Sequence, residues 1–272
     1  TDFYAMDTYT KRPYPQNDMP PAAQLDLLKE IGYDGIAWTD EPPEQVQKVV
    51  DEADARGLKM CAIYFGATVT PEGTLSYSPH LEPVMDVLRG HDTLIWLHIG
   101  GKGPKIADLK PDAPVVKTLR TLAAKAERNG LKVAIYPHVG EWTERVQDAV
   151  QIARLVDARN FGVTFNLCHC LAMGDEARIP ALLEEAAPYL FTVTINGADA
   201  GVKGPHWKQL IQTLDRGTYD TTIVLRTLRQ LRFQGPIGVQ GYGLGGDRRD
   251  NLERTMRAYR RLSTAARKPK AD

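Results

Sequence analysis

APVVKTLRTLAAKAERNGLKVAIYPH, residues 113–138, contains the unit from which the whole chain is built. In its first half apolar residues recur at intervals of three and four (Val115, Val116, Leu119, Leu122, Ala123, Ala126), the spacing of one helix face, and the pattern stops at Gly130. Its second half, KVAIYPH, is a short apolar run that ends in polar side chains. Seven further runs of that second kind follow the same rhythm: DFYAMDT (2–8), GIAWTD (35–40), KMCAIYFG (59–66), TLIWLHIG (93–100), FGVTFNLCH (161–169), LFTVTING (190–197) and PIGVQGYG (236–243). Helical-period stretches such as PPAAQLDLLKEIG and PEQVQKVVDEADARG lie between them. Unbroken apolar strands are those covered on both faces, as in a parallel sheet with helical crossovers. Eight such units in 272 residues predict the α/β class and a single (β/α)8 TIM barrel over 1–265, with 266–272 as a flexible, solvated tail. The rival is a doubly wound open sheet; the lack of a glycine-rich phosphate fingerprint after the first strand counts against it.

Lys+Arg and Asp+Glu are both 34, so no global field favours nucleic acid or an anionic membrane, and 43% hydrophobic residues suffice for a sizeable core. A small neutral ligand is the expected partner; the oligomeric state is left open. Three cysteines, Cys61, Cys168 and Cys170, are too few for a disulfide framework. No apolar run approaches the ~20 residues of a membrane span. A chain starting at Thr1 fits export to the periplasm followed by signal-peptide removal, or trimming of a cytoplasmic protein.

In a (β/α)8 barrel the chemistry sits where the carboxyl ends of the strands meet their loops. The polar residues there are Asp7 and Thr8, Thr39 to Glu41, Tyr64, His98, Tyr136 with His138, Asn166 with His169, Thr194 with Asn196, and Gln240 with Tyr242. Any one of them is also explained by a strand end reaching water. As a set they point to a site, because several lie inside apolar strands and need partners once buried.

VAIYPHVGEW, GVTFNLCHCLAMG, TVTINGAD and GPIGVQGYG resemble, in order and spacing, four segments of the xylose isomerase-like TIM-barrel superfamily, the sugar phosphate isomerase/epimerase group that also includes endonuclease IV-type enzymes. In that family the segments carry Glu, Asp, His and Glu around a divalent metal, and the carboxylates move a proton between adjacent sugar carbons. Carried over by position, these residues fall on Tyr136, Asn166, Thr194 and Gln240. All four differ. Asn166 and Gln240 keep the shape of Asp and Glu without the charge, so the resemblance implies a divergent site in which the usual metal binds poorly and no cofactor is expected.

His169 matches a histidine that follows the family's Asp, and His98 also matches a family position. Together with His138 these imidazoles form either a nitrogen-rich site for an ion such as zinc, manganese being the other candidate, or hydrogen-bonding and acid/base groups. Cys168 and Cys170 flank His169; in an extended strand both point away from it, and buried cysteine acts as a small apolar residue.

The loop after the seventh strand offers Lys203 and Arg216 as ligand contacts, and Trp38 is an aromatic candidate for the apolar face of a sugar, with core packing as the equal reading. GYGLGGDRRDN after the eighth strand reads either as a phosphate-binding loop or as a turn capped by Asp247 or Asp250. The expected activity is isomerase, epimerase or lyase chemistry in carbohydrate metabolism on a monosaccharide or keto-sugar derivative. Asp7, Tyr136, His138 and His169 would move protons. Asn166, Gln240, Thr194, Asn196, His98, Lys203, Arg216 and Trp38 would bind the substrate. A carbohydrate-binding barrel without catalysis is the alternative. A nuclease is disfavoured, since it needs a carboxylate-rich metal cluster and a basic face.

Overall fold

The computed structural model describes residues 1–11 and 19–267. Eight parallel strands, β1 (Phe3–Met6), β2 (Gly35–Thr39), β3 (Lys59–Val69), β5 (Leu94–Gly101), β6 (Lys132–Ile135), β7 (Phe161–Asn166), β8 (Leu190–Ile195) and β9 (Ile237–Val239), each coincide with one of the eight apolar runs. They pair in sequence order, and β1 pairs with both β2 and β9, which closes the ring. The fold is a single (β/α)8 TIM barrel, and the open-sheet alternative is excluded by that closure.

The crossovers follow the periodic stretches: α1 (Pro21–Ile31), α2 (Pro43–Ala55), α3 (Leu81–Val87), α4 (Pro114–Arg128), α5 (Val146–Val156), α7 (Ile179–Ala186), α9 (Thr222–Gln230) and α10 (Arg248–Ala265). Proline opens α1, α2 and α4, where its missing N–H is no loss and its fixed φ suits the first turn. Helix α4 buries Val115, Val116, Leu119, Leu122, Ala123 and Ala126 on its inner face. Each large aliphatic side chain so buried contributes roughly 1.5–3 kcal/mol.

Alternation along the strands sorts side chains into two apolar clusters. Outward residues such as Ile36, Ile63, Ile95, Leu97, Val163 and Val193 join the helices in the larger one. Inside the ring, Tyr4, Met6, Ala37, Ala62, Trp96, Ala134 and Tyr136 form the smaller. Two bulky rings, Tyr4 and Trp96, are therefore accommodated by small residues on neighbouring strands, and Gly238 lies directly under the Tyr4 ring.

Three features depart from the sequence reading. Strand β3 outruns the rim and folds back through a turn at Gly73 (φ +81°) into the short antiparallel β4 (Leu75–Tyr77). The run FGVTFNLCH does not stay extended: the strand stops at Asn166, and α6 (Leu167–Ala172) begins at once. Cys168 and Cys170 thus lie about 100° to either side of His169 around a helix, not opposite it on a strand. Both are buried, and burial pushes each thiol up to about 12, so they pack as apolar groups. At the end of the chain Ala266 is buried, with its N–H on the Leu262 carbonyl; the rest of the expected tail from 268 lies outside the described residues. Among the described residues no helix is long and apolar enough to cross a membrane.

Candidate functional site

At the carboxyl ends of the strands lies a cavity of about 480 Å³. It is lined by Asp7, Lys11, Tyr64, His98, Tyr136, His138, His169, Trp207, Gln240 and Tyr242, among others. The closed ring dictates the layout. Counting round it, β1 and β6 are four strands apart in either direction, so Asp7, just past β1, faces His138, just past β6, across the mouth.

On the β6 side three imidazoles gather. The rings of His138 and His169 are 4.1 Å apart and those of His98 and His138 are 6.0 Å apart, centre to centre. His138 Nδ1 is 3.1 Å from the Val139 carbonyl, which can only accept, so Nδ1 carries the proton and Nε2 of the neutral ring is the free base. Burial is the main cause holding the His138 pKa below its usual value; Glu141 offsets part of it and His98 adds to it. His169 is held further down, again chiefly by burial, then by His138 and His98, and its Nδ1 has no hydrogen-bond partner. His98 donates from Nδ1 to Glu141 Oε1 at 2.9 Å, which fixes its ring. A tight turn, with the Glu141 N–H on the His138 carbonyl, brings Glu141 there.

On the β1 side Asp7 is 1% exposed, and burial raises its pKa against the opposing pull of Lys11 and Tyr64. Tyr64 donates to Asp7 Oδ1. Lys11 Nζ lies 3.2 Å from Asp7 Oδ2, 3.1 Å from Glu41 Oε1 and 3.6 Å from the centre of the Trp38 ring. Between the two sides stands Tyr136, whose phenol burial keeps protonated well past neutrality. Gln240 closes the floor: its Oε1 accepts from Thr8 Oγ1 at 2.6 Å and from the Tyr242 N–H at 3.0 Å.

Of the residues expected from the sequence, Asp7, His98, Tyr136, His138, His169 and Gln240 meet in the cavity. The other six do not line it. Asn166 turns its amide inward, donating to Thr164 Oγ1 at 3.0 Å and accepting from Thr194 Oγ1 at 2.8 Å, so each satisfies the other below the floor. Asn196 donates to the Gly197 and Leu210 carbonyls. Trp38 is buried beneath Lys11, with its Nε1 donating to Glu41. Lys203 and Arg216 are exposed after β8, on either side of the short helix α8 (Trp207–Leu210). Sequence reasoning missed Lys11 and Glu141. Lys11 could have been found by its place four residues after Asp7, and Glu141 by its place three after His138 in a glycine turn.

The sequence profile of the xylose isomerase-like TIM barrels matches residues 25–262. The chain belongs to that family. No curated protein matches it closely enough to report. Among solved structures it is similar to the IolI protein, described with a zinc atom, at TM-score 0.73 and 14% identity over 98% of this chain and 99% of that one. It is similar to an L-ribulose 3-epimerase at TM-score 0.72 and 12% identity, covering 98% and 95%. A third is the 3-keto-D-glucoside 4-epimerase YcjR of E. coli, at TM-score 0.66 and 15% identity, covering 97% and 99%. At such identities the likeness is one of fold.

The four positions where the family is expected to hold a metal carry a phenol, two amides and a hydroxyl, none of them anionic near neutral pH. The Asn166 and Gln240 side-chain oxygens already accept protein hydrogen bonds. Among the described residues no three His, Cys, Asp or Glu side chains converge as a metal site, the three imidazoles included. The phenol, two amides and hydroxyl at those four positions are a poor donor set for a hard divalent cation.

Proposed function

We propose that this protein transfers a proton at the carbon beside a carbonyl of a monosaccharide or keto-sugar derivative, as an isomerase or epimerase whose own side chains replace the family's metal. The observation that carries the reading is the facing of Asp7 and the histidine cluster across one cavity. His138 Nε2 takes the proton and becomes an imidazolium. Tyr136, a phenol held protonated, donates a hydrogen bond to the carbonyl oxygen as negative charge develops on it. Asp7, a carboxylate whose raised pKa eases protonation, takes a proton from water and passes it to the carbon from the other side. Proton exchange with water then resets His138 and Asp7. The epimerases among the similar structures support a sugar as the ligand.

The test is loss of the proton next to the carbonyl in D₂O, followed by NMR over a panel of pentoses, hexoses and 3-keto sugars. Enzyme dialysed against chelator should exchange as fast as untreated enzyme. His138→Ala should lose about 10²–10⁴-fold. Exchange abolished by chelation and restored by a divalent ion would overturn the metal-free mechanism. Sugar binding without exchange would instead make this a carbohydrate-binding barrel, a reading favoured by the commitment of Asn166 and Thr194 to each other.

A further inference from the structure

We infer that the cavity takes an uncharged sugar and discriminates against its phosphate ester, because the one lysine among the described residues lining it, and several of the backbone N–H groups that would hold a phosphate, are already engaged by the protein itself. The inference rests on the sugar reading above and specifies the substrate class.

Barrels of this kind hold phosphate with backbone N–H groups of the loops after the seventh and eighth strands. After β9, the Gly241 N–H donates to Thr8 Oγ1 at 3.2 Å, the Tyr242 N–H to Gln240 Oε1 at 3.0 Å, and the Leu244 N–H to the Gly241 carbonyl at 3.2 Å. After β8, the N–H groups of Gly197 and Asp199 bond to the carbonyls of Gln212 and Gln209. Further along that loop, the Ala200 N–H is on Thr218 Oγ1 and the Gly201 N–H on a carboxylate oxygen of Glu176, at 2.6 Å. A phosphate would have to break these bonds, and at Gly201 displace an anion.

Side-chain charge points the same way. Among the described residues lining the cavity, Lys11 is the only lysine or arginine, and it already bridges Asp7 and Glu41 over the Trp38 ring. Lys203 and Arg216 stand outside the cavity. At the start of α10 the Asp247 carboxylate accepts the Asp250 N–H at 2.8 Å, so that helix end is capped by an acid. A phosphate dianion brought in here would shed its water beside two carboxylates with no unshared cation to receive it. A neutral ring meets imidazoles, phenols and the faces of Trp207 and Tyr242, the latter 52% exposed at the lip, which suit hydroxyls and the apolar face of a sugar.

Calorimetric titration of the full chain tests this with the panel sugar giving the largest thermal shift, its terminal phosphate ester, and inorganic phosphate. The neutral sugar should bind at least about ten-fold tighter than its ester, and inorganic phosphate should not compete with it. Glu41→Gln, which keeps an acceptor for Trp38 Nε1 but leaves Lys11 one carboxylate fewer, should narrow that ratio several-fold. An ester that binds as tightly as the sugar, or a ratio unmoved in Glu41→Gln, overturns the inference while the sugar reading stands. If no sugar in the panel binds or exchanges, both fall together.

Discussion

Asp7 is the residue at which function and stability pull apart most sharply. Its carboxyl is buried, and desolvation outweighs the help of Lys11 and Tyr64, so its charged form is held at a cost to the fold. Asp7→Asn keeps an oxygen to accept from Tyr64, and it leaves Lys11 paired with Glu41, so no orphan charge results. The variant should melt at or above the wild-type temperature at pH 7–8, with a gain on the order of 1 kcal/mol, while proton exchange drops by about 10²–10⁴-fold. Calorimetric melting beside the exchange assay checks both signs. A less stable variant would mean that the Lys11 bridge, not desolvation, governs this site. The contrast with Asn166 shows why single residues were only partly legible in the sequence. Both lie at strand ends, but Asn166 finds Thr164 and Thr194 within reach and spends its polarity on them, whereas Asp7 keeps a face on the cavity. Which outcome holds depends on neighbours from other strands that no local pattern reveals.

Strands and helices were far easier to read than the groups they carry. All eight barrel strands were visible because burial on both faces makes each an unbroken apolar run, and α1, α2 and α4 because one-sided burial stamps a helical period on them. Helix α6 was not, since all six of its residues are buried and a short segment wet on no side has no alternation to betray its geometry. The three-residue β4 is too short to carry any period. Among the elements, β9 gives the clearest packing test. A Cβ on Gly238 would overlap the ring edge and hydroxyl of Tyr4, which is fully buried and tied through that hydroxyl to Thr192 Oγ1 at 3.0 Å. The ring cannot swing away inside a closed barrel, so Gly238→Ala should destabilise by about 1–3 kcal/mol. Gly245→Ala, with nothing within 4 Å of the added methyl, is the matched control and should melt within a degree or so of wild type. Equal melting of the two would show that the barrel interior is loosely filled.

At the scale of the molecule, β1 and β9 seal the ring from opposite ends of the chain, and α10 locks the seam by stacking Tyr259 on Phe3 and placing Thr255 against the Tyr9 hydroxyl at 3.0 Å. Neither end can leave without opening the barrel, so the site and the fold should melt together and the buried titrating groups should act on global stability. Their signs oppose. His138 and His169 have lowered pKa values in the folded state, so once the pH falls below about 6.5 the unfolded chain binds protons that the folded chain refuses, and stability is lost. His169 should dominate, because it is buried while part of the His138 ring reaches solvent. Each pH unit over which an unfolded ring is charged and its buried counterpart is not removes up to about 1.4 kcal/mol. Asp7, raised in the folded state, does the reverse: above the unfolded value of about 3.9 the native state takes up its proton first, so acidification relieves it. Melting temperature should therefore fall by several degrees from pH 7 to pH 5. His169→Asn should flatten that slope, whatever its absolute stability, and Asp7→Asn should steepen it by removing the opposing contribution. A slope unchanged in both variants would place the acid sensitivity in groups away from the cavity.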